Sequence, residues 1–271
     1  MTESESSPAP VLSSTSADGA VVTLTLNRPR VGNAYNGHMI VQLLELARAA
    51  LSDESVRVLV LRGNGRHFQA GADLAWLKGV RLRSAEENIA VSRRTALLVH
   101  ELNLAPKPTL ALVHGTCFGG GVGMLAACDV VIAERTAGFA ITEARWGLLA
   151  SIIVPQLNSA MGARQVRRYA LTGERFGAER AMALGLVHET CEPGALDVAA
   201  TPVIDGWLRT APQALAESKL EILRNAGLDI PSEAFESRVL AHAAKRQSEE
   251  AEEGLLSFLE KRDPSWYPSG N

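Results

Sequence analysis

CFGGGVGMLAACDVV, Cys117 to Val131, is the stretch whose reading decides the fold. It carries glycine at 119, 120, 121 and 123 and then runs straight into an apolar, alanine-rich segment. Each glycine in a helix costs up to about 1 kcal/mol against alanine, so four at a helix start need another reason. Thr109 to Val113 reads as a strand before them and a helix follows to about Cys128, which makes the glycines a strand-to-helix turn. Such a turn aims unpaired N–H groups at a negative charge, and glycine lets an oxygen approach without meeting a Cβ. No Gly-Lys-Ser/Thr follows, so the P-loop reading fails, and GGGVGM does not supply the dinucleotide pattern GxGxxG. An oxyanion remains as ligand, with tight helix–strand packing as the plain alternative.

A competing chemistry shares the segment. Gly115-Thr116-Cys117-Phe118-Gly119 matches a nucleophile elbow, with Cys117 as nucleophile, Asp197 as acid and His188 or His242 as base. His188 precedes Asp197, against the usual acid-then-base order. A lone cysteine is also most often a small buried filler.

Working outward, strands are expected over 20–26 (AVVTLTL), 56–61 (VRVLVL), 109–113, 129–133 and 186–188. Helices are expected over 38–51, 84–104 and most of 151–184. Beyond Pro193 only helical patterns occur, at about 194–209, 212–226, 233–247 and 250–262. This gives an α/β core followed by a helical appendage. The polar N-terminus reads as a loose tail through residue 16, the core as 17–200 and the helical region as 201–271.

The 271 residues, 46% hydrophobic and 21% charged, describe an ordinary globular chain. A formal net charge of -3 gives none of the basic excess of a nucleic-acid binder. Three cysteines lie far apart without metal-ligand spacing, which points to a reduced, cytoplasmic setting. The N-terminal stretch lacks the charged and apolar regions of a signal peptide, and no apolar run reaches about 18 residues.

A second strand-to-helix turn stands at FQAGADLAWLK, Phe68 to Lys78, where Gly71 and Ala72 can also present a backbone N–H. Two converging donors make an oxyanion hole, worth about 2.7–4 kcal/mol for each donor that faces developing charge. With this turn the chain resembles the crotonase superfamily, the enoyl-CoA hydratase/isomerase family. The matching segments are LNRPRVGNAYN (26–36), FQAGADL (68–74), KPTLALVHGTCFGGGVG (107–123), CDVVIA (128–133), FAITEARWGL (139–148), LTGERFGAERAMALGLVHE (171–189) and GLLSFLEKRDPSW (254–266).

The resemblance implies a spiral of strand–strand–helix units and a C-terminal helical region that trimerises, the trimers often pairing into hexamers. It implies an acyl-CoA thioester substrate, with no cofactor beyond the coenzyme A of that substrate and no metal. The N–H groups of Ala72 and Gly120 would hold the thioester oxygen. Ala34, Ala70, Asp73, Leu74, Gly121 and Gly123 would line the coenzyme A and acyl site. Arg30 would face the phosphates, and Phe258 and Lys261 would reach coenzyme A from a neighbouring subunit.

Hydration needs one group to activate water and one to protonate Cα. Typical hydratases of the family use two glutamates, and the first of those positions is Gly123 here. The second is Glu143, expected as the acid/base. One carboxylate suffices for a double-bond shift, so a Δ3,Δ2-enoyl-CoA isomerase is the alternative, and a degenerate acyl-CoA binder a further one. The wording AGADLAWLK, TEARWGLLASIIVPQL and RRYALTGERF is similar to the methylglutaconyl-CoA hydratase branch, which implies a branched or carboxylated acyl group. Arg145 and Lys78 are candidate cations for such a carboxylate.

Overall fold

The computed structural model describes residues 8–267. In chain order its elements begin with β1 (Val11–Thr15), β2 (Val21–Leu26), α1 (Gly37–Ser52), β3 (Val58–Gly63), α2 (Leu74–Arg81), α3 (Ala85–Asn103) and β4 (Thr109–Val113). The centre of the chain forms β5 (Thr116–Phe118), α4 (Gly120–Ala126), β6 (Val130–Glu134), β7 (Gly138–Ala140), α5 (Val154–Met161), α6 (Ala163–Thr172), β8 (Phe176–Gly177), α7 (Ala178–Ala183) and β9 (Glu189–Cys191). Four helices close it: α8 (Leu196–Leu208), α9 (Pro212–Asn225), α10 (Ser232–Arg246) and α11 (Glu249–Glu260).

One sheet has the order β1-β2-β3-β4-β6-β9, and a small second sheet has the order β5-β7-β8. Within the first, β1 runs antiparallel to β2, and the other pairings are parallel. Parallel strands covered on both faces read as continuous apolar runs, which is the look of VLVL in β3. Leu59 and Leu61 face the main core with Leu43, Val99 and Val122. Val58 and Val60 turn to the other face, where Leu110, Ile132, Leu196 and Ala200 complete a second cluster.

Two expected boundaries change. The loose tail was expected through residue 16, but Val11–Thr15 is a strand paired residue for residue with β2, from Val11↔Leu26 to Thr15↔Val22. Val11 is buried and its N–H donates to Gln42 Oε1 at 2.8 Å. The part of that tail before Pro8 lies outside the described residues. The core was expected to end at 200, but that position falls inside α8, whose Leu196 and Ala200 cover the second face of the sheet. No helix among the described residues is long and apolar enough to cross a membrane.

Candidate active site

The two small-residue turns clasp each other. Gln69 N–H donates to the Thr116 carbonyl at 3.0 Å, and Phe118 N–H donates to the Gln69 carbonyl at 2.9 Å. Gly71 has φ +91°, and a Cβ on it would lie 3.2 Å from the Phe118 carbonyl oxygen. The N–H groups of Ala72 and Gly120 make no hydrogen bond among the described residues, and both residues line one cavity of about 520 Å³.

Close approach explains the glycines behind this turn. A Cβ on Gly120 would lie 2.8 Å from the Tyr35 hydroxyl, and one on Gly121 would lie 2.2 Å from Gln69 Oε1. At Gly123 the clash is with Ile153, whose Cγ2 would be 2.2 Å away. A side chain at position 123 is therefore blocked at its first carbon by Ile153.

Glu143 opens a 3-10 turn, Glu143–Trp146, just after β7. Its Oε1 comes within 3.3 Å of where a Cβ of Gly119 would sit, so it lies against the glycine turn. Its Oε2 is buried without a hydrogen-bond partner. Burial pushes the carboxyl from its ordinary 4.5 up to about 7. The turn is held from outside by α11. A Cβ on Gly147 would be 2.4 Å from the Glu250 carbonyl oxygen, and one on Gly254 would be 2.4 Å from that of Trp146.

The structure brings Ala34, Ala70, Asp73 and Leu74 to the same cavity as Glu143, Ala72 and Gly120. Asp73 pairs with Arg28 at 3.0 Å and caps α2 by accepting from Trp76 N–H at 3.2 Å. Four expected residues do not line it. Arg30 lies exposed on a 3-10 turn, and Lys261 is exposed in the left-handed conformation after α11. Gly121 and Gly123 are buried behind the wall, pressed on Gln69 and Ile153. Phe258, expected to reach a neighbouring subunit's coenzyme A, lines its own chain's cavity, edge-on to Trp146 at 5.0 Å.

The elbow residues are not brought together. Cys117 is fully buried in the main core, and burial raises its thiol well above the usual range. Asp197 pairs with Arg62 at 2.9 Å, and His188 Nδ1 accepts from Val131 N–H at 3.1 Å. His242 does reach the cavity, on the wall formed by α3 and α10.

That wall holds what sequence reasoning missed. Arg246 is 2% exposed, lines the cavity and has no carboxylate partner among the described residues. It donates to Ser92 Oγ at 2.8 Å, His242 Nδ1 at 3.0 Å and Asn88 Oδ1 at 3.3 Å. An arginine can only donate, so His242 Nδ1 accepts and the ring proton sits on Nε2. Burial, with the Arg246 charge beside it, holds the imidazole down to about 3, hence neutral. Of the two cations considered for a substrate carboxylate, Arg145 lines the cavity and Lys78 does not. Among the described residues no group of three or more His, Cys, Asp or Glu is placed to hold a metal.

Known proteins share this chain's architecture and sequence. The architecture is that of crotonase-fold enzymes, and an enoyl-CoA hydratase structure from Mycobacterium avium superposes with a TM-score of 0.83 at 36% identity, covering 96% of this chain and 99% of that one. Residues 16–269 match the family model for Enoyl-CoA hydratase/isomerase, and the chain belongs to that family. The 2,3-dehydroadipyl-CoA hydratase of Escherichia coli is 30% identical over 91% of this chain and 94% of its own length. A peroxisomal Delta(3,5)-Delta(2,4)-dienoyl-CoA isomerase of Arabidopsis thaliana is 27% identical over 91% and 92%.

Proposed function

We propose that this protein is an enoyl-CoA hydratase that adds water across a 2-enoyl-CoA thioester. One observation carries the reading: a buried carboxyl, Glu143, lies against a turn whose Gly120 N–H is free, and that turn is clasped to the free N–H of Ala72. The thioester oxygen accepts from both N–H groups, which grow stronger as negative charge gathers on it. Glu143 takes a proton from water as the water oxygen bonds Cβ, and a pKa of about 7 suits that transfer near neutral pH. The enolate then takes a proton at Cα.

Coenzyme A enters past Ala34, Ala70, Asp73 and Leu74, with Phe258 beside the opening and Arg30 and Lys261 outside it as phosphate partners. The acyl group is branched or carboxylated. Arg246 supplies an uncompensated positive charge for it and the neutral His242 a further N–H donor, since a buried charge is costly until an opposite one meets it. The α9 helix has no buried residue and exposes Ile222, which fits burial in a trimer or hexamer. The unpaired Cys117, Cys128 and Cys191 fit a reducing cytoplasm. No cofactor or metal enters this scheme.

The blocking of position 123 by Ile153 favours a second reading, a Δ3,Δ2-enoyl-CoA isomerase in which Glu143 alone moves a proton from Cα to Cγ. Mass spectrometry of products from a panel of 2-enoyl- and 3-enoyl-CoAs separates the two. Gain of one water on a 2-enoyl-CoA, abolished in Glu143→Gln, is the expected result. Chromatographic shift of a 3-enoyl-CoA without mass change, and no hydration, would replace the hydratase by the isomerase.

A further inference from the structure

Hydration handles two protons, and the cavity offers few groups for the second. Among the described residues that line it, the carboxylates are Asp73 and Glu143. Asp73 is committed to Arg28 and to the start of α2. His242, neutral with its Nδ1 accepting from Arg246 and facing Ser92, holds only an imidazole N–H proton, a weaker acid than a phenol. The Thr95 hydroxyl donates to the Val91 carbonyl at 3.0 Å. Tyr35 is different: its hydroxyl has no hydrogen-bond partner among the described residues, and it rests against Gly120.

The chain fixes this phenol firmly. Tyr35 N–H donates to the Gly71 carbonyl at 2.9 Å, and its own carbonyl accepts from Asp73 N–H at 2.9 Å. The residue is thus paired backbone to backbone across Ala72. Its ring meets Trp76 edge-on at 6.3 Å. Glu143 lies against Gly119 and the Tyr35 hydroxyl against Gly120. Two proton-handling groups therefore bracket neighbouring residues of one turn, and any thioester held by Gly120 N–H sits within their reach.

We propose that Tyr35 is the second catalytic residue, the acid that protonates Cα in place of the carboxylate that position 123 lacks. The inference rests on the hydratase reading. Glu143 gains the proton of the attacking water while the C–O bond forms at Cβ. The enolate collapses, its Cα bonding the Tyr35 hydroxyl proton, and a phenolate is left. The protonated Glu143 returns its proton to the phenolate, directly or through one water, so both groups are restored and H and OH have been added. Burial and the Glu143 charge both raise the phenol above its ordinary 10, while Arg246 draws it the other way. A proton on a carboxyl near 7 therefore moves downhill onto the phenolate.

Tyr35→Phe tests this, because it removes one oxygen and keeps the ring. With a 2-enoyl-CoA hydrated by the wild type, kcat is expected to fall about 100-fold or more, the range of a lost general acid, with KM little changed. The melting temperature should stay near the wild type. Deuterium exchange at Cα of the 3-hydroxyacyl-CoA product in D2O, followed by mass spectrometry, should slow in parallel. A Tyr35→Phe enzyme that hydrates and exchanges within about threefold of the wild type, far below the range of a lost acid, would overturn the role while leaving the hydratase reading intact. A wild type that hydrates no 2-enoyl-CoA would instead bring down the reading and the role together.

Discussion

Replacing Glu143 by glutamine should make the protein inactive and, at alkaline pH, more stable. The carboxyl sits at about 7 in the fold against an ordinary 4.5, chiefly because burial penalises its charge. The folded state therefore holds a proton that the unfolded chain releases between those two values. Stability from this group is complete below pH 4.5 and is lost as pH rises through about 7. Each pH unit of displacement is worth about 1.36 kcal/mol. Over the window from about pH 5 to about pH 8 the ionised carboxyl thus weakens the fold by about 2–3 kcal/mol. Glutamine fills the same space and never ionises. Urea unfolding of wild type and Glu143→Gln at those two pH values, at one protein concentration, measures the difference. It should open in favour of glutamine by about that amount at the higher pH, and other titrating groups cancel in the comparison. The wild-type kcat/KM should rise through about pH 7 as the base ionises. A stability difference that stays constant with pH, or that favours the wild type at pH 8, would show that the carboxyl is not held in a desolvated pocket.

Gly123→Glu should not restore a second catalytic carboxylate. Its Cβ would fall 2.2 Å from Ile153 Cγ2, so the expected outcome is a loss of about 1–3 kcal/mol by overpacking, read as a lower melting temperature with no gain in turnover. Arg246→Met should lower kcat/KM for a carboxylated enoyl-CoA far more than for crotonyl-CoA. Truncating one partner of a buried charge pair costs about 2–5 kcal/mol, or at least about 30-fold, and equal losses on both substrates would remove Arg246 from recognition.

Much of the fold was readable because local and distant demands agree. The VLVL run of β3 is apolar since both faces of the sheet are covered, and α1 announces itself by Leu43, Leu44 and Ala47 on one side. The strand β1 was not readable. Its ladder is made by the main chain, and the outward residues Ser13 and Ser14 look like loop. The three-residue β5 and β7 are too short to show a period. At the site, the two strand-to-helix turns are legible as places that present N–H groups, the choice of Ala72 and Gly120 within them comes from the family resemblance, and Glu143 by itself reads as an acid at a helix start. Arg246 reads as a cation that suits the end of α10 and gives no sign of its burial. Tyr35 reads as a loop aromatic, and the meeting of Ile153 with Gly123 joins segments thirty residues apart, a contact that no local pattern encodes.

The grip of α11 on the Glu143 turn has a consequence for the order of assembly. Gly147 and Gly254 let two backbones meet so closely that neither side is shaped without the other. During synthesis neither turn settles early: Gly119 N–H waits for the Ala140 carbonyl, and the turn that carries the carboxyl waits for Glu249–Glu260. The place of Glu143 is therefore fixed by a helix about a hundred residues further along the chain.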